Sequence, residues 1–154
     1  MPGNSRVWIY QSDRVLTPSE AELIEKNMQR FLEQWSAHGQ GLRCSMTLLH
    51  HRFLVVSVDE SHHGASGCSI DSSVHFITEL GKHLGVDWFN RSKIAFIVDN
   101  EVFIENHKDL KQKIADGKIN SDTLTFNNLV ANIEEFEEKW LIPAGDSWMG
   151  RFFN

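Results

Sequence analysis

The chain of 154 residues is 41% apolar and 23% charged, with 15 Lys and Arg against 21 Asp and Glu for a formal charge of -6. A single unit of this length buries roughly 68–70% of its unfolded surface, so neither disulfides nor a metal ion is needed to complete a core, and the stapled mini-protein class is excluded. The acidic balance argues against a broad phosphate-neutralising surface, and so against nucleic acid as a partner.

Cys44 and Cys68 lie in unrelated contexts without metal-ligand spacing, so free thiols are expected. The first residues lack the apolar stretch of a signal peptide, and no apolar run approaches the ~20 residues that span a bilayer. A soluble, cytoplasmic protein with no membrane partner is the expectation.

In chain order, residues 6–10 (Arg-Val-Trp-Ile-Tyr) have the β-branched and aromatic content of a strand. Thr17-Pro18-Ser19-Glu20 opens a helix with a capping hydroxyl, a proline at the first helical position and a glutamate three residues after the cap. Its predicted core face is Ala21, Ile24, Met28, Phe31, Leu32 and Trp35, and Gly39 stops it. Residues 42–48 alternate apolar and polar as a half-exposed strand does. His50-His51 then turn the chain into 53–58, whose unbroken apolar run suits a central strand.

Residues 61–69 form a loop of small residues, with Gly64 and Gly67 expected to supply backbone freedom. A second helix is predicted from Ile70 to Leu84, capped by Ser69 and ended by Gly85. Strands at 93–98 and 101–105 flank Asp99-Asn100, which suit a two-residue hairpin turn. A short helix near 107–116 ending at Gly117, a strand near 123–127, and a helix from Asn132 to about Trp140 complete the chain. No boundary divides it, so residues 1–154 are expected to form one domain.

The order β-α-β-β-α-β over the first hundred residues predicts an α+β fold with a ferredoxin-like βαββαβ core, an antiparallel sheet with helices on one face, extended by the C-terminal strands and helices. A mixed α/β sheet of another order fits the same element string. Strands one and three are expected side by side in the middle. If they are parallel, their carboxyl ends bring Tyr10, Gln11, Asp13 and Arg14 beside the loop at 59–73.

That loop enters a helix N-terminus, where unpaired amides favour an anion. The expected ligand-binding residues are therefore Tyr10, Gln11, Arg14, Asp59, Ser66, Gly67, Ser69 and Asp71, and the expected partner is a small anionic ligand. Cys68 at the same helix end, with His62, His63 or His75 as base, is the catalytic alternative. Asp59, Glu60, His62, His63, Asp71 and His75 have ligand chemistry but no metal-site spacing, so no metal or other cofactor is expected. Trp140, Trp148, Phe152 and Phe153 either close the core or dock a second subunit, so a homodimer is one expectation. Asn127-Asn128 fit hydrogen-bonded turn structure.

Residues 7–12 (Val-Trp-Ile-Tyr-Gln-Ser), 34–39 (Gln-Trp-Ser-Ala-His-Gly), 58–61 (Val-Asp-Glu-Ser), 64–71 (Gly-Ala-Ser-Gly-Cys-Ser-Ile-Asp), 126–130 (Phe-Asn-Asn-Leu-Val) and 146–148 (Asp-Ser-Trp) resemble an uncharacterised family of small bacterial proteins. The likeness covers nearly the whole chain. Members of that family often carry the label "ABC transporter ATPase". The GxxxxGK[ST] loop whose amides and lysine hold phosphates in such cassettes does not occur in this chain. A shorter stretch, Asp109 to Leu124, is similar to the helix–glycine–strand unit of some GYF-like peptide-binding modules, which implies a binding role. The expected function is accordingly a non-catalytic binding protein, with a cysteine-dependent enzyme as the alternative.

Overall fold

The computed structural model describes residues 1–153. Strand β1 (Arg6–Gln11) pairs antiparallel with β5 (Phe53–Asp59), which pairs antiparallel with β4 (Arg43–Leu49), so β5 is central in a sheet ordered β1-β5-β4. All seven β5 residues are buried, because both faces of this strand are covered. Leu54, Val56 and Val58 pack under two helices, while Phe53 faces the other way onto a second sheet.

The two helices are α1 (Pro18–Gln34) and α2 (Gly67–Leu84). The α1 capping box forms as predicted, and Ala21, Ile24, Met28, Phe31 and Leu32 are its buried stripe. Trp35 lies just past the helix and is still buried in the same core. Helix α2 starts three residues earlier than expected. Its cap is Ser66 and not Ser69, because the two serines form a reciprocal capping box in which Ser69 takes the third helical position.

A short hairpin, β2 (Ser36–Ala37) and β3 (Gln40–Gly41), turns at His38-Gly39, where only a helix stop was foreseen. His50 and His51 both adopt positive φ, +53° and +50°, in the turn between β4 and β5. Neither Gly64 nor Gly67 does so; among the described residues the positive-φ glycines are Gly39, Gly85 and Gly117. The conformational freedom expected of the 61–69 loop is therefore not used there.

Strands β6 (Lys93–Val98) and β7 (Glu101–Asn106) form the expected hairpin about Asp99-Asn100, with Val98 opposite Glu101. A ferredoxin-like core would place β6 beside β1. Instead residues 131–133 cover that edge: Val7 N donates to Ala131 O and Ile133 N to Ser5 O, each at 3.0 Å. With its place taken, β6 joins a second antiparallel sheet, β7-β6-β8-β9, with β8 (Leu124–Phe126) and β9 (Leu141–Pro143). The architecture is α+β, with every strand pair antiparallel.

Helix α3 (Leu110–Ala115) and the C-terminal turns at Ala144–Asp146 and Trp148–Phe153 cover one face of the second sheet around Phe96, Ile119 and Met149. Helix α4 (Ile133–Lys139) and Trp140 close the space between the sheets around Phe53 and Phe126. Of the four tail aromatics, Trp140 is buried, Phe152 and Phe153 pack on the Phe96 cluster, and Trp148 is 51% exposed. No helix among the described residues is long and apolar enough to cross a membrane.

Candidate functional site

The pairing direction of β1 decides where the expected site residues lie. The α1 crossover makes β4 parallel to β1, and the β4–β5 hairpin then reverses the chain, so β5 must oppose β1. The register runs from Arg6 opposite Val58 to Gln11 opposite Phe53. The carboxyl end of β1 therefore sits at the start of β5, away from Asp59, and the expectation of parallel neighbours is corrected.

Arg14 shows the size of the separation. Its guanidinium donates to Leu84 O at 2.7 Å, at the last turn of α2, and forks onto both Glu20 carboxylate oxygens at 2.8 and 2.6 Å. The 18 residues of α2 extend about 27 Å at 1.5 Å per residue, so Arg14 and Ser66 mark opposite ends of that helix. Gln11 likewise lies at the far end, where its Nε2 donates to Lys93 O at 3.0 Å. Tyr10 is buried beneath α2, and burial pushes its phenol up from its ordinary value while the Ser73 hydroxyl offsets part of that rise.

Side chains take up three amides at the α2 N-terminus, those of Ala65, Ser66 and Ser69, and leave those of Gly67 and Cys68 without a hydrogen bond among the described residues. Glu60 Oε2 accepts from Ala65 N at 2.9 Å. Ser66 N donates to Ser69 Oγ at 2.8 Å, and Ser69 N to Ser66 Oγ at 3.1 Å. A carboxylate and two hydroxyls thus stand beside the place expected for an exogenous anion, and the charge of Glu60 repels one. Asp59 is held below the usual carboxylate range by the Ser61 hydroxyl and amide, at 2.6 and 3.0 Å. Gly67 and Asp71 are exposed, the latter on the outer face of α2.

Cys68 is exposed, and His63 Nε2 is engaged with Ala37 O at 2.6 Å. His62 is exposed in the loop, while His75 stands seven residues along α2 from Cys68, about 10 Å in axial rise. No histidine hydrogen-bonds the Cys68 sulfur among the described residues, and no group of three or more His, Cys, Asp or Glu side chains suited to a metal occurs among them.

A concave surface lies elsewhere, on the second sheet. The β6–β8 ladder spans only Phe96 opposite Thr125 and Ile97 opposite Leu124; beyond it the strands part, because β8 runs on to pair with β9. A groove of about 580 Å³ opens in the gap. Side chains replace the missing rungs: Thr125 Oγ1 donates to Ala95 O at 2.8 Å and Gln11 Nε2 to Lys93 O at 3.0 Å. Asn128 Nδ2 donates to Gln11 Oε1 at 3.1 Å, and Asn128 Oδ1 accepts from Trp140 Nε1 at 2.9 Å.

This chain of amides fixes the groove floor from β1 across to the α4 end. The apolar wall comes from Ile94, Phe126, Leu129 and Ile142, with Trp148 at the rim. Leu129 is 91% exposed, the most exposed large apolar side chain described. Arg91 and Asp146 bring opposite charges to the lining, and neither is in an ion pair among the described residues. Lys93 Nζ donates to Asn106 Oδ1 on β7 at 2.9 Å.

Of the expected ligand-binding residues only Gln11 reaches this groove. Asn127 and Asn128 do have turn chemistry, since Asn127 Oδ1 accepts from Leu129 N at 3.2 Å, but the amide bridge made by Asn128 has no local sequence signal. No protein-family profile, curated protein or solved structure matches this chain.

Proposed function

We propose that the protein is a non-catalytic binding protein whose site is the groove between β6 and β8, and that its ligand is a small organic acid. The carboxylate or phosphate meets Arg91, and an apolar body lies against Ile94, Leu129 and Trp148. The observation that carries the reading is a cation without an acidic partner, Arg91, beside an apolar wall on a floor fixed by hydrogen bonds. Ligand sites commonly enclose ~300–1,000 Å³ and combine such walls with a few oriented polar groups. The carbonyls of Lys93 and Ala95 are already bonded by side chains, which disfavours strand addition by a peptide at this place.

Thermal denaturation with a panel of monocarboxylates, dicarboxylates, sugar phosphates and nucleotides tests it. A ligand at about a hundred times its Kd stabilises the folded state by ~2.7 kcal/mol, which is roughly 5–10 °C in Tm for a chain of this size. At least one acid is expected to give such a shift, with the shift lost in Arg91→Ala and reduced in Trp148→Ala. A panel without any shift, or a shift that survives in both variants, contradicts the proposal.

A further inference from the structure

Charge is distributed unevenly around the groove between β6 and β8. Arg91 and Asp146 both line it, and neither is in an ion pair among the described residues. Arg91 precedes β6 and Asp146 follows β9, two strands away in the order β7-β6-β8-β9, so roughly 9–10 Å of sheet separates the strands that carry them.

The sign of each charge is continued by its neighbours. Arg91 also lines a depression with His107 and Lys108, and no acidic side chain is in that lining, Asp109 included. Asp146 also lines one with Asp122, and no basic side chain is in that lining. The other cations nearby are engaged elsewhere. Lys93 Nζ donates to Asn106 Oδ1 at 2.9 Å, and the Arg151 guanidinium lies over the Phe152 ring at 5.1 Å.

Both charges stand on turns that hydrogen bonds fix. Before β6, Asn90 Oδ1 accepts from Ser92 N and Ser92 Oγ at 3.0 and 2.6 Å, and Ser92 O accepts from His107 N at 2.8 Å. After β9, Gly145 N donates to Ser121 O at 2.8 Å and Ser147 Oγ to Ala144 O at 2.6 Å, on either side of Asp146. Trp148 ties the two turns together, its indole stacked on the His107 ring with centroids 5.6 Å apart and planes 3° from parallel.

We propose, on the basis that the groove is an acid site, that its ligand is a zwitterion, with a carboxylate for Arg91 and an ammonium for Asp146 at the two ends of an apolar body. A ligand that fills the groove excludes water from both side chains, and a simple acid would leave the Asp146 carboxylate unpaired beside its own. An ammonium neutralises Asp146 and gains the Trp148 indole as a second partner, since a cation within ~6 Å of a tryptophan ring is attracted to it. Asp146 also repels a second acidic group, so it selects among acids.

Isothermal titration of the full chain with ligands of one shape isolates each charge. para-(Aminomethyl)benzoate carries both, para-methylbenzoate only the carboxylate, and para-methylbenzylamine only the ammonium. The zwitterion is expected to bind roughly fivefold or more tighter than either of the others, a margin that shrinks at high salt. Arg91→Gln is expected to bring it level with the amine, and Asp146→Asn level with the simple acid. Asp146→Lys is expected to reverse the preference in favour of terephthalate, with circular dichroism unchanged because residue 146 is exposed. para-Methylbenzoate binding as tightly as the zwitterion, still dependent on Arg91, overturns the inference and leaves the acid site standing. A preference for the zwitterion that survives Asp146→Asn overturns it as well. Absence of binding by all three overturns it too, and the acid site falls with it where the wider panel of acids is equally silent.

Discussion

Arg14 and Glu20 tie the N-terminus of α1 to the C-terminus of α2 through one fork and one carbonyl. The Arg14 hydrogen bonds, with the Thr17 amide, hold the Glu20 carboxyl at about 2, against an ordinary value of 4.5. A depressed acid stabilises the fold fully above its unfolded value, and that stabilisation is lost as pH falls from about 4.5 toward 2. Glu20→Gln is therefore expected to lower Tm at neutral pH and to flatten the acid limb of the stability curve in that window, as urea denaturation at stepped pH would show. Two glycines of α2 separate space from conformation. A Cβ at Gly81 would meet Val86 O at 2.5 Å and Trp88 Cδ1 at 2.8 Å, whereas one at Gly67 meets nothing within 4 Å. Gly81→Ala is expected to cost about 1–3 kcal/mol, the usual range for overpacking. Gly67→Ala is expected to be neutral or stabilising by about 0.4–1 kcal/mol. Paired denaturation curves would check both.

Helices α1 and α2 meet through Trp35, whose Nε1 donates to Ser69 O at 2.8 Å while its ring packs against Phe31 and Trp8. Trp35→Ala is expected to cost roughly 3–5 kcal/mol. Asn128→Ala removes the amide between Gln11 and Trp140 and is expected to cost about 1–3 kcal/mol through the polar groups left unpaired. Elements whose signal is local were legible in the sequence: α1 through its capping box and apolar stripe, the β6–β7 hairpin through Asp99-Asn100, and β5 through its apolar run. The start of α2 was misplaced because Ser66 and Ser69 are equally good caps, and only the surrounding hydrogen bonds choose between them. Strand β8 lies within the expected 123–127, whereas β9 has three residues, too few for a period, and no local signal marks it or the partners of either strand. The candidate site failed to emerge for the same reason. Its residues run from Gln11 to Trp148 and share no spacing, while the serine-rich helix start has a local signal that its capping box accounts for.

Among the described residues two antiparallel sheets, beside the small β2–β3 hairpin, are joined through one aromatic core, with helices on the outer face of the first and a groove where the second opens. The division of labour follows from one event, the capture of the β1 edge by residues 131–133, which sends β6 to a second sheet and creates the seam at Lys93 to Ala95. The exposed Cys68 has no part in this, so Cys68→Ser is expected to leave ligand-induced stabilisation unchanged in thermal denaturation. A titration of isotope-labelled protein with the acid that gives the largest thermal shift, followed by amide and indole resonances, separates the groove from the helix start. The account predicts movement of the Asn127, Asn128 and Gln11 side-chain amides and the Trp148 indole, with the backbone amides of residues 65–72 unmoved. Movement confined to residues 65–72, with the groove silent, would contradict it.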